Sequence, residues 1–303
     1  MFSVVKFVLV NIVITAAVSS RDCPHGHFRV PRMAECHRWL TCEDLLQITV
    51  LEVIGQGAVK RVHRARWRGD VEVAVSFLNS VDLAEDFRHN REMLELFGCS
   101  PLVVQLVGFC AEEGVLVTQY HRLGDAADLA KVLPEGRRDE RSALRLCHNY
   151  ASLISHLHSG PGGPRVMCDS ADLGKLLGQL LVTDDRTLVL NDLDALPLVR
   201  PGEAVKCGRR ELSGDFVAPE QRWPHPGPFR DESMPGYGVE TDIWKLATVC
   251  EAFLQYVPGS EASLYSLYAL HRRCKSPSPA SRPAASELVE AYGRLLADGH
   301  DEL

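Results

Sequence analysis

Apolar and polar residues change rhythm once along this chain. Between Ile48 and Tyr120 the stretches ITVLEVIG, VKRVHRARW, VEVAVSFL and GVLVTQY are rich in Val and alternate apolar with polar positions, the period of half-buried strands. One helical pattern interrupts them, over about residues 82–97. From Asp128 onward SALRLCHNYASLISHLH, TDIWKLATVCEAFLQYV and AASELVEAYGRLLAD repeat apolar residues three and four apart, which predicts amphipathic helices. The stretches PGPFRDESMPGYG and CKSPSPASRP separate them as loops. Strands first and helices after predict an α+β fold of two lobes: a small antiparallel sheet lobe with one helix over 48–120, and a larger helical lobe over 121–299.

Composition narrows the function. The chain has 303 residues, of which 46% are hydrophobic and 24% charged, enough to bury a large core. A formal charge of −7 argues against nucleic acid and anionic lipid as partners, because both need clustered Lys and Arg. Nothing points to an oligomer, and a monomer is expected.

Both ends read as addresses. Residues 1–20 place one cation, Lys6, before an apolar run and small residues, the layout of a secretory signal; left uncut, the segment would be a type II anchor in the membrane. The terminal His300, Asp301, Glu302 and Leu303 form an ER-retrieval signal. Together they predict the lumen of the endoplasmic reticulum. Ten cysteines suit that compartment, and residues 21–47 are rich in them. Cys23, Cys36 and Cys42 are odd in number, so one of them is expected to bridge to the body or stay free. A zinc site with His25, His27 and His37 is the less favoured alternative.

Gly55-Gln-Gly57-Ala-Val-Lys60-Arg-Val62 joins two strands, so it is not the strand-to-helix turn of a dinucleotide fold. Alone, its glycines read simply as residues that allow positive φ. It is followed, however, by VAVS, a helix, VTQYHRLG, VMCDSADL, NDLDAL, VAPE, TDIW and SRP. That order resembles a protein kinase. The resemblance implies that Glu220 pairs with Arg282 and that Asp242 belongs to the same structural framework. It also implies that the cofactors are ATP and Mg²⁺, with Gly55, Gly57, Lys60, Thr118 and Gln119 as nucleotide-binding positions.

The departures from the kinase pattern are informative. The third strand reads Val73-Ala74-Val75-Ser76 and lacks the usual phosphate-holding lysine, so Lys60 is expected to be that lysine, moved into the glycine loop. Met167-Cys168-Asp169 stands in the catalytic loop, which makes Asp169 the expected base. Asp192 is the expected metal ligand. Thirteen residues before it, where the pattern places asparagine, stands Gln179, which would offer a side-chain oxygen to the metal. Glu92 is the expected partner of the lysine on the helix, with Asp86 the alternative. Cys168 replaces the arginine that would grip a phosphorylated activation segment, whose one hydroxyl side chain is Ser213, so control by phosphorylation is not expected. Lys206, Arg209 and Arg210 lie where an acceptor would approach.

CPHGHFR, GQGAVKRV, RVMCDS, NDLDALPLV and CGRRELSGDFVAPEQ together resemble the O-mannose kinase branch of the protein kinases. That resemblance implies phosphorylation of the 6-hydroxyl of O-linked mannose, in the GalNAc-GlcNAc-Man trisaccharide of α-dystroglycan. A lumenal pseudokinase that binds glycans or acts as a scaffold is the competing expectation, and a kinase of Ser, Thr or Tyr side chains a further one.

Overall fold

The structure, a computed structural model, describes residues 23–298 apart from Asp169. The expected leader, the possible anchor and the retrieval signal therefore lie outside the described residues. Among the described residues, no helix is long and apolar enough to cross a membrane.

The cysteine-rich segment forms a short antiparallel ribbon of β1 (His27–Phe28) and β2 (His37–Arg38), closed by the Cys23–Cys36 disulfide and followed by a single helical turn, α1 (Cys42–Leu45). It does not stand apart from the rest. Phe28, Val30 and Leu40 are buried in one core with Trp67, Val73, Val75, Val107 and Val117 of the sheet that follows. Cys42 bridges to Cys110, so the third of the clustered cysteines does bond to the body. Its sulfur and that of Cys110 make up, with Glu112, the one group of possible metal ligands among the described residues, and the disulfide already uses both thiols.

The Val-rich alternation forms strands β3 (Ile48–Gln56), β4 (Lys60–Trp67) and β5 (Val71–Leu78), then helix α2 (Ala84–Leu96), then β6 (Leu106–Cys110) and β7 (Val115–Gln119). They make an antiparallel sheet in the order β3-β4-β5-β7-β6, and a 3-10 turn at Val81–Leu83 precedes α2. The centre of the sheet is covered on both faces. On one lies the N-terminal segment; on the other, Leu106 and Leu116 join Phe87, Met93 and Leu94 of α2 in the main core.

The last strand, β6, would expose its hydrogen-bonding edge were it not for Leu40. Leu40 donates its N–H to the Val107 carbonyl (2.9 Å) and accepts from the Phe109 N–H (3.1 Å). This contact explains Gly108: a Cβ there would come within 2.5 Å of Leu40 backbone atoms.

The helical lobe begins with the short α3 (Leu129–Val132) and the long α4 (Glu140–Ser159), which Asp139 caps through its carboxylate. Helix α5 (Leu173–Gly178) then leads into the hairpin of β8 (Leu180–Val182) and β9 (Leu188–Leu190). Helices α6 (Glu240–Gln255), α7 (Glu261–Cys274) and α8 (Ala285–Asp298) complete the lobe. Cys147 on α4 is bonded to Cys250 on α6 inside this core.

Gly108→Ala should force Leu40 and its segment off the sheet. The expected loss is about 1–3 kcal/mol, the usual cost of overpacking, read from denaturant unfolding with the disulfides intact.

Candidate active site

A cleft of about 1040 Å³ runs between the lobes. Its roof is the turn from β3 to β4. There the Gly57 N–H donates to the Lys60 carbonyl (3.0 Å), and the Asn79 amide, at the end of β5, donates to the carbonyls of Gly57 (2.8 Å) and Ala58 (3.2 Å). Neither Gly55 nor Gly57 has a positive φ, and a Cβ on either would meet nothing closer than 3.8 Å. The chain's own geometry does not require glycine here, so the reading based on positive φ fails. What the two glycines do provide is backbone that a group in the cleft can approach closely.

Lys60 opens β4, and its ammonium reaches Asp192 Oδ1 at 2.9 Å across 132 residues of sequence. Register explains how. Val62 pairs with Ser76, cross-strand partners share a face, and Lys60 lies two residues before Val62 on that same face. A lysine on β4 therefore serves the region that a lysine at position 76 would serve.

Asp192 and Gln179 are brought together by the β8–β9 hairpin. Leu180 pairs with Leu190, and just outside that pair the Asn191 N–H donates to the Gln179 carbonyl (2.9 Å). Gln179 and Asp192 both line the cleft, and Asn191, Asp194 and Asp125 add further oxygens.

The structure corrects the expectation for Glu92. Its carboxylate lies 2.6 Å from an Arg88 nitrogen and 3.8 Å from an Arg91 nitrogen, on the outward side of α2. The alternative, Asp86, lines the cleft but is exposed, and Asp192 is the carboxylate paired with Lys60. Instead, α2 grips the stretch after Asp192 with Asn90, whose side-chain oxygen accepts from the Leu193 N–H at 2.9 Å. Asn90 is 1% exposed, among the apolar residues of that helix. A polar residue on the buried stripe of an amphipathic helix was the available signal.

Asp169 lies outside the described residues, but Met167 and Cys168 before it are described. Asp242, buried on α6, accepts from the Met167 N–H (3.0 Å) and pairs with His158 (3.1 Å). Cys168 is bonded to Cys207 of the activation segment, a tie that sequence reasoning missed. A covalent bond thus occupies the place where an arginine would hold a phosphate. Further on, Arg282 grips Glu220 with two nitrogens (2.5 and 2.8 Å), donates to the carbonyls of Ser276 and Glu240, and lies over Trp244. Arg209 and Arg210 line the cleft, whereas Lys206 is held by Asp231. Thr118 is buried opposite Ala74, and the Gln119 N–H donates to the Gln105 carbonyl; neither lines the cleft.

This fold, with its glycine turn, lysine–aspartate pair and braced catalytic loop, defines a protein kinase. In keeping with that, residues 48–161 match the family described as Protein tyrosine and serine/threonine kinase. The chain is 43% identical to Protein O-mannose kinase of Macaca fascicularis over 289 residues, which cover 92% of this chain and 82% of that one. To the Homo sapiens protein of the same name it is 41% identical over 93% of this chain and 82% of that one; to that of Xenopus laevis, 42% over 91% and 80%. The chain belongs to the protein O-mannose kinase family and is a phosphotransferase. Its kinase domain implies the use of ATP, typically with Mg²⁺. Its four disulfides are compatible with a lumenal or secretory setting.

Glu92→Ala should leave turnover within about twofold, since it removes only a half-exposed surface pair. Asn90→Ala should cost about 1–3 kcal/mol by orphaning a buried N–H and should lower kcat, measured by denaturation and steady-state kinetics side by side. Cys207→Ser should free the activation segment, expected as faster limited proteolysis within residues 200–214 while the rest of the chain stays resistant.

Proposed function

We propose that this chain transfers the γ-phosphoryl group of ATP to the 6-hydroxyl of O-linked mannose within GalNAc-GlcNAc-Man on α-dystroglycan, in the lumen of the endoplasmic reticulum, and so supports synthesis of the laminin-binding glycan. The observation that carries the kinase reading is the contact between Lys60 and Asp192: a cation gained in one lobe meets the acidic residue kept in the other. The printed names of the relatives support the acceptor.

In this reading Lys60 binds the triphosphate beneath the open backbone of Gly55 and Gly57. Asp192 and Gln179 would hold the metal. The cleft side chains around them offer carboxylate and amide oxygens, a donor set that fits Mg²⁺ better than a thiophilic ion. The ion would neutralise charge on the triphosphate. Asp169, next in sequence to the disulfide-bonded Cys168, would orient the sugar hydroxyl and take its proton. The bond from the γ-phosphorus to the ADP oxygen breaks as the bond to the mannose oxygen forms, so the protein's work is positioning and charge compensation. Residues 21–47 would brace the sheet lobe of the kinase domain. The signal in residues 1–20, cut or kept as an anchor, and the retrieval signal at 300–303 would hold the enzyme in its compartment.

The competing reading, a glycan-binding pseudokinase, takes the Lys60–Asp192 pair as no more than a structural tie between the lobes. Transfer of labelled γ-phosphate to the trisaccharide glycopeptide in Mg²⁺ separates the two. The wild type should label it and leave the sugar-free peptide unlabelled. Lys60→Ala should lose about a hundredfold or more in kcat/KM, the scale on which one aimed charge matters. A folded wild-type protein that transfers nothing would instead favour the pseudokinase.

A further inference from the structure

Helix α6 buries a lysine on the wall of the cleft. Lys245 is 2% exposed, directly after Trp244, and lines the cleft together with Ser170, Lys175, Asp192 and Arg209. Its ammonium donates to Ser170 Oγ at 2.6 Å, and that hydroxyl donates to the Met167 carbonyl at 2.8 Å, so both residues flanking Cys168 and Asp169 belong to this chain of bonds. Among the described residues no carboxylate stands within ion-pair distance of Lys245; Asp242 and Glu220 act on it from farther away. Burial pushes its ammonium below the usual lysine range, against the pull of those two acids.

Burying an ammonium costs several kcal/mol unless a counter-charge offsets it. A methionine would fill a similar volume without that cost. A buried cation on the wall of a cleft is therefore suited to an anion that arrives from outside the chain. In the catalytic stretch MCDSADLGKLLGQ, residues 167–179, the one cationic side chain is Lys175. Lys175, half-buried, and Arg209, exposed, also line the cleft, but Lys245 is the buried one, bonded to the residue next to the base.

We infer that Lys245 is a catalytic residue of the phosphoryl transfer: held by Ser170, its ammonium contacts oxygens of the migrating phosphoryl group from the helical lobe, while Lys60 holds the triphosphate from the sheet lobe. The inference rests on the kinase reading. The migrating group carries its charge on three equatorial oxygens, and a fixed cation that faces them helps most in the transition state.

The experiment uses the full chain, ATP, Mg²⁺ and the trisaccharide glycopeptide, and compares Lys245→Met, Lys245→Arg and Ser170→Ala with wild type. Nucleotide affinity is read from a fluorescent ATP analogue and folding from the melting temperature. Lys245→Met should lower kcat about a hundredfold, with nucleotide affinity within about twofold, and Lys245→Arg should recover a good part of the loss. Unchanged kcat in folded Lys245→Met overturns the inference. So does a loss that arginine does not rescue and that follows weakened nucleotide binding and melting, since that is the pattern of a mere prop. Should Lys245→Met not fold, Ser170→Ala decides: lower kcat at unchanged nucleotide affinity supports the inference, and wild-type kcat overturns it. A wild type that transfers nothing overturns the kinase reading and this inference with it, whereas wild-type transfer matched by folded Lys245→Met overturns this inference alone.

Discussion

The contact between Lys60 and Asp192 is the constraint on which the site depends. It joins a residue of the sheet lobe to one of the helical lobe at 2.9 Å, with side-chain exposures of 10% and 28%. Two opposite charges this close and this poorly solvated attract by about 6 kcal/mol at an effective dielectric near 20. Each also loses hydration, so the pair is better suited to setting position than to adding stability. It brings the glycine turn, the β8–β9 hairpin and the base of the catalytic loop to one cleft. A lysine on the third strand would do this from one strand farther in; here the register of β4 on β5 makes the move possible.

Around that pair, the helical lobe replaces adjustable parts with fixed ones. Asp242 holds the catalytic loop by its backbone, Arg282 anchors Glu220 at the end of the activation segment, and the Cys168–Cys207 bond ties the middle of that segment to the loop. Phosphate-dependent ordering would need a cation at position 168. The disulfide supplies the same restraint without a modifying enzyme.

Much of this was legible in the sequence because it is written in short spacings. The change from alternation to helical period marks the two lobes, and Ala218-Pro219-Glu220 with Asp242 and Arg282 marks the frame. Lys60 was legible as a loss at Ser76 matched by a gain nearby. Glu92 was misread because spacing alone does not say which side of α2 faces the cleft; the helix turns its arginine ladder outward and Asn90 inward. The Cys168–Cys207 bond was out of reach for another reason: ten cysteines allow many pairings, and only three-dimensional proximity selects one. Lys245 was hidden in an apolar run, where one cation reads as solvent-facing until burial is known.

The disulfides divide between the lobes. Cys23–Cys36 and Cys42–Cys110 lie within the sheet lobe and its N-terminal segment, while Cys147–Cys250 and Cys168–Cys207 lie within the helical lobe. Among the described residues, none crosses the cleft. Oxidation therefore staples each half within itself, and what joins the halves across the cleft is non-covalent, chiefly the Lys60–Asp192 pair and the bond from Leu193 to Asn90.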